Sequence, residues 1–139
     1  MRKSLVGLAL LAVIGSAAAC SDITGGLGIG GVAGDYQLRT FNGQTLPAVM
    51  SSSSFGTDEL LDEMFTIEAG GMYTDTYQIR TTSSTGVRST QTFQDFGTYQ
   101  RNNSAFQFHD SRTGDIFTGS LNGSTLTITQ LGDIYVFTR

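Results

Sequence analysis

From residue 34 onward the chain alternates short runs rich in Thr, Tyr, Phe, Ile and Val with clusters of Gly, Asn, Asp and Ser. β-Branched and aromatic side chains suit a pleated, half-buried surface, so these runs predict strands. They fall at about residues 35–41, 63–68, 72–81, 91–100, 105–109, 115–120, 124–129 and 134–138, with a short ninth candidate near 46–50. The cleanest period of two is Ser124-Thr125-Leu126-Thr127-Ile128-Thr129, which sets Leu126 and Ile128 on one face and the threonines on the other. Ala69-Gly70-Gly71, Arg101-Asn102-Asn103-Ser104, Asn122-Gly123 and Gly132-Asp133 supply residues that tolerate a tight reversal between successive strands. Ile134-Tyr135-Val136-Phe137 is apolar throughout, which predicts a closing strand buried as a seam against the first. About eight antiparallel strands without a connection long enough for a crossover helix predict an all-β fold, a single antiparallel up-and-down barrel; a β-sandwich is the alternative.

Two stretches break this rhythm. Between Met50 and Glu63, a serine run leads into Phe55-Gly56-Thr57-Asp58-Glu59-Leu60-Leu61, where Thr57 could cap a short helix with Asp58 and Glu59 in its first turn. Ser83 to Thr90 reads as a long hairpin loop.

The first 33 residues have another character. Arg2 and Lys3, an apolar run from Leu5 to Ile14 and the small residues Gly15 to Ala19 have the three parts of a signal peptide over residues 1–19. The run is shorter than the roughly 20 apolar residues that a membrane-spanning helix needs. Residues 20–33 are rich in glycine and read as a tether before a domain over residues 34–139. Gly26, Gly28 and Gly31 form a Gly-x-Gly-x-x-Gly string without the flanking strand and helix of a dinucleotide fingerprint, so no nucleotide cofactor is expected. Ala17-Ala18-Ala19-Cys20 resembles the lipobox of bacterial lipoproteins, which implies acylation of Cys20 and a membrane partner through that lipid anchor. Ser21, where Asp would favour inner-membrane retention, resembles the outer-membrane default. The alternative is ordinary cleavage that leaves a free thiol, since a lone cysteine cannot form an internal disulfide.

Charge narrows the partners. After Cys20 there are six arginines, no lysine and twelve acids, a formal charge of 6 − 12 = −6. That balance argues against nucleic acid or anionic lipid head groups, both of which demand a basic surface.

Candidate chemistry is sparse. His109 is the only histidine, which rules out a multi-histidine metal site, and its neighbour Asp110 points to the opposite face of a strand, unlike the converging members of a catalytic triad. Asp58, Glu59, Asp62 and Glu63 read as a solvated helix face, and Asp110 to Asp115 as a polar hairpin loop. No catalytic residue, metal ligand or cofactor site is expected, and no enzyme activity.

The aromatics are more informative. Tyr36, Phe65, Tyr73, Tyr77, Phe93, Phe96, Tyr99, Phe106, Phe108, Phe117, Tyr135 and Phe137 are spread over nearly every strand, and are expected to line the interior. An eight-stranded barrel is at the size where side chains either fill the lumen or surround one small ligand. For a small apolar ligand the candidate contacts are Tyr36, Leu38, Phe65, Tyr77, Phe96 and Phe106; a solid core that serves protein interactions is the alternative.

Gly34-Asp-Tyr-Gln-Leu-Arg-Thr-Phe-Asn-Gly-Gln-Thr-Leu-Pro47, Phe96-Gly-Thr-Tyr99, Phe117-Thr-Gly-Ser-Leu-Asn-Gly-Ser-Thr-Leu-Thr-Ile128 and Tyr135-Val-Phe137 together resemble the small lipocalin-like lipoproteins of bacteria. The resemblance implies a barrel of about eight strands on a lipid anchor in the cell envelope, with apolar-ligand binding in the better known relatives. Where lipocalins have Gly-x-Trp at the barrel floor, this chain has Gly34-Asp35-Tyr36 and no tryptophan anywhere; Tyr36 is expected to plug that end with its hydroxyl turned to water or a backbone partner.

Overall fold

A computed structural model describes residues 31–139. The signal segment, Cys20 and most of the glycine-rich tether, including Gly26 and Gly28, lie outside the described residues. Ten strands follow one another: β1 (Gly34–Phe41), β2 (Gln44–Thr45), β3 (Ala48–Ser53), β4 (Gly56–Ile67), β5 (Met72–Ser83), β6 (Arg88–Asn102), β7 (Ala105–Asp110), β8 (Ile116–Asn122), β9 (Thr125–Gln130) and β10 (Asp133–Thr138).

From β4 to β10 each strand pairs antiparallel with the next, and β1 closes the ring between β10 and β4. The result is a closed eight-stranded antiparallel barrel of up-and-down order with two extra strands, compatible with the lipocalin-like resemblance. The seam is β1 against β10, with Leu38 opposite Phe137 and Phe41 opposite Tyr135. Closure matters energetically, because an open seam would leave a row of unpaired N–H and C=O groups.

The two stretches that interrupt the sequence pattern are the main corrections. Residues 50–63 hold no helix: β3 and β4 form a hairpin there, with Ser52 opposite Thr57 and Ser53 opposite Gly56. β4 is already paired with β5 along this stretch, so the local preference for a helix cap loses to two ladders of backbone hydrogen bonds. Residues 83–90 are a tight reversal between long strands, in which Gly86 N–H donates to the Ser83 carbonyl at 2.9 Å and Ser83 N–H to the Val87 carbonyl at 2.8 Å. Val32 is also a departure, since it is buried at the foot of the barrel rather than part of a free tether.

Wall pairing and lumen width are linked. β1 pairs with β4 only from Gly34 opposite Ile67 to Gln37 opposite Met64. Beyond that point the same edge of β1 pairs with β2, and β4 takes β3 instead. A bulge at Leu61 shifts the register of β4 between Leu60 and Asp62, so the inward face passes from Ile67, Phe65 and Glu63 to Leu60. The foot of the barrel is therefore closed by direct pairing, and the other end is split and bridged by the two extra strands.

Candidate functional site in the barrel lumen

The foot of the lumen is solid. Phe65 stacks on Tyr73 with ring centroids 4.9 Å apart, Phe108 stacks on Phe117 at 5.0 Å, and Phe65 meets Phe108 edge-on at 5.2 Å. Such contacts add to the burial of each ring, worth on the order of 1.5–3 kcal/mol. Tyr36 is fully buried at the floor, where its hydroxyl donates to the Val32 carbonyl at 2.7 Å and the Arg139 guanidinium lies 5.7 Å from its ring centroid. Arg139 also donates to the Ala33 carbonyl at 3.1 Å, so the last residue locks the entry of the chain into β1.

The split end is hollow. A cavity of about 310 Å³ is enclosed there by Leu60, Phe65, Ile79, Phe117, Ile128 and the ring of Tyr135, with exposed Met50 and Leu131 at its mouth. That volume sits at the lower end of small-molecule pockets, which run from roughly 300 to 1,000 Å³.

The surprise is the polar part of the lining. Glu63, Asp75, Asp95 and Asp133 are among the residues that line this cavity, and none of the described lining residues is Arg, Lys or His. Asp75 and Asp95 are directly opposite each other across β5 and β6, and Glu63 is one step along β4 beside Tyr77. Asp95 is held from outside the lining by Arg112 at 2.5 Å, and accepts from the Tyr77 hydroxyl at 3.2 Å. Glu63 and Asp75 share a hydrogen bond. Burial first, and then the Asp75 charge, push the Glu63 carboxyl up to about 10. Burial and the Asp95 charge push Asp75 up to about 7, against the hydrogen bond from Glu63 that favours its ionised form. A protonated Glu63 thus donates to Asp75, and the two titrate as one unit.

Other polar groups are satisfied locally. Asp110 accepts from the backbone N–H groups of Arg112 at 2.8 Å and Thr113 at 2.7 Å, an Asx turn that caps its own loop. Burial raises its pKa, but those donors outweigh burial and hold it below the ordinary range. His109 is exposed on the opposite face of β7. The four acids expected on a helix face lie on β4 instead. Asp58 accepts from Ser51 and Thr81, Glu59 pairs with Arg80 at 2.9 Å, Asp62 accepts from Gln37, and Glu63 turns inward.

Of the six ligand candidates, the cavity brings Phe65 and Tyr77 together. Tyr36, Leu38 and Phe106 are buried in the packed part of the barrel. Phe96 is on the outer face, 51% exposed, because Phe93, Asp95, Gly97 and Tyr99 take the inward positions of β6 and leave the even-numbered residues outside. From sequence, Glu63 is expected on a solvated helix face, and Asp75 and Asp95 are not singled out. The signal for them was parity: each lies two residues from an inward aromatic, Phe65, Tyr73 and Tyr77, or Phe93.

Fold and site together define a closed eight-stranded up-and-down barrel, compatible with a lipocalin-like fold, whose lumen is packed at the foot and hollow, acidic and aromatic at the other end. Compared with protein-family models, curated proteins and solved structures, the chain matches none.

Proposed function

We propose that the protein is an exported bacterial envelope protein, anchored to the outer membrane by an acyl chain on Cys20, whose barrel takes up one small molecule with an apolar body. The observation that carries the binding reading is the half-filled lumen. Aromatic side chains solidify the foot of the barrel, yet a cavity of about 310 Å³ persists at the split end. A domain that needed only stability would pack this end as it packs the foot, where the described aromatic side chains leave no comparable space. Export and anchoring rest on the sequence of residues 1–20 alone.

The test of binding is native mass spectrometry of the protein released gently from its own membranes. An added mass of small-molecule size that departs on denaturation supports the reading; a bare protein mass that takes nothing from a lipid extract overturns it. The anchor is tested by labelling cells with palmitate, which is expected to mark the protein and to fail with Cys20→Ala.

A second reading has its own observation. Among the described residues, the β6 edge from Arg88 to Asp95 pairs with β5 on one side and with no strand on the other, and the outer edge of β3 is likewise unpaired. Such edges accept an added strand from a partner protein. Crosslinking from position 91 in intact cells separates this reading from ligand binding, as only strand addition yields a protein adduct there.

A further inference from the structure

The lining of the cavity is chemically one-sided. Four acidic residues line it without a basic group among the described lining residues, and Phe65, Tyr77 and Tyr135 complete it; of the four, Asp133 accepts from the Asn42 side chain at 2.8 Å. Like charges directly opposite on neighbouring strands are destabilising, and Asp75 and Asp95 are such a pair. Arg112 answers only one of them, through Asp95. Asp75 lines the cavity, its Oδ1 has no N–H or hydroxyl donor among the described residues, and the partner of its carboxyl is another acid, Glu63.

We infer that the lumen binds an organic cation, a protonated amine carrying a compact apolar body, with its ammonium group on Asp75 and Glu63 and its apolar body among the aromatic side chains. This rests on the reading of the lumen as a ligand site. An ammonium supplies the N–H donors that the Asp75 oxygen lacks, and its charge relieves the repulsion between Asp75 and Asp95. Aromatic faces add cation–π attraction, which strengthens in a desolvated site. A bare metal ion fits less well, because no three Asp, Glu, His or Cys side chains among the described residues close around one point. Burying a cation requires paired counter-charge, which the Asp75 carboxylate supplies once it is ionised.

The groups that face Asp75 set the pH dependence. They are Glu63 on β4, Tyr73 and Tyr77 on β5, Asp95 on β6, Asp110 at the end of β7, and Tyr135 on β10, with Arg112 held against Asp95. Burial and the neighbouring acids favour the protonated form of Asp75, so at low pH a proton competes with the ammonium for the same oxygen. Binding therefore tightens as pH rises through neutrality.

The test uses three probes of one shape: tryptamine, its uncharged analogue tryptophol and its anionic analogue indole-3-acetate, titrated calorimetrically into the full-length protein. The expected result at about pH 8 is tryptamine binding tighter than tryptophol by on the order of tenfold or more, with indole-3-acetate the weakest. Tryptamine affinity is expected to drop by up to about tenfold per pH unit below neutrality, while tryptophol stays nearly flat. Asp75→Asn, close in shape, is expected to bring tryptamine down to the level of tryptophol; should that variant not fold, the comparison of probes on the unaltered chain decides. Equal or tighter binding of tryptophol or indole-3-acetate, or no binding of tryptamine, overturns the inference. Uptake of an uncharged apolar dye by the same protein then decides the broader reading separately: a dye that still enters leaves the lumen a ligand site, and one that does not removes it.

Discussion

Asp75 and Asp95 stand directly opposite each other across β5 and β6, and both line the barrel cavity. With Glu63 beside them, the domain holds protons when folded that it releases when unfolded. The folded-state pKa values of Glu63 and Asp75 are raised, to about 10 and about 7, above the unfolded values of 4.5 and 3.8. Stability from these groups is thus full below the unfolded values and is lost as pH rises through the folded ones. Chemical denaturation should show stability falling between about pH 5 and pH 9, with a limiting slope of about 1.4 kcal/mol per pH unit for each proton. Glu63→Gln should flatten that slope and stabilise the protein at the alkaline end. A profile that rises with pH over this range would contradict the buried acid pair.

Gly97 makes room for Tyr73, its direct partner across β5 and β6. A Cβ at position 97 would come within 2.0 Å of the His109 carbonyl oxygen and 2.8 Å of the Tyr73 ring. The carbonyl belongs to a paired strand and cannot move freely, so Gly97→Ala should destabilise the domain by about 3 kcal/mol or more. Gly70, where a Cβ would meet nothing within 4 Å, is the matched control and should tolerate alanine with a change under about 0.5 kcal/mol. Urea denaturation of the two variants makes the comparison.

The floor of the barrel gives a finer test. Tyr36 Oη donates to the Val32 carbonyl, and both residues are buried. Tyr36→Phe keeps the ring and its packing under Arg139 but leaves that carbonyl without its donor. The expected cost is about 1–2 kcal/mol, seen as a shift in denaturation midpoint with an unchanged slope.

How far the sequence went can be read from individual positions. Leu126 and Ile128 on one face and a seam between the first and last strands follow from local pattern, since alternation and terminal apolar strands are properties of a few adjacent residues, whereas the plug at Tyr36 is implied by the lipocalin-like resemblance. The β3–β4 hairpin was not legible, because Thr57-Asp58-Glu59 is a good helix start and only the two neighbouring ladders make it a strand. Phe96 was misplaced by counting aromatics without their parity. The same parity would have found the acidic lining: Asp75 is midway between Tyr73 and Tyr77 and shares their face. The bulge at Leu61 was invisible locally, so nothing in the sequence put Leu60 and Glu63 on the same wall.

Placement in the lumen and on the surface makes opposite demands on ligand uptake. Ile79 lines the cavity beside Leu60, whereas Phe96 is on the outer face of the wall. Ile79→Trp would push an indole into a space of about 310 Å³ and should reduce uptake of an apolar dye by on the order of tenfold or more. Phe96→Ala removes a larger aromatic than anything altered in the lumen, yet should leave uptake within about twofold of the unaltered protein and stability within about 0.5 kcal/mol. If dye binding followed Phe96 and ignored Ile79, the ligand would be sitting on the outside of the barrel, where the free edge of β6 begins, and the acidic cavity would have to be explained by something other than binding.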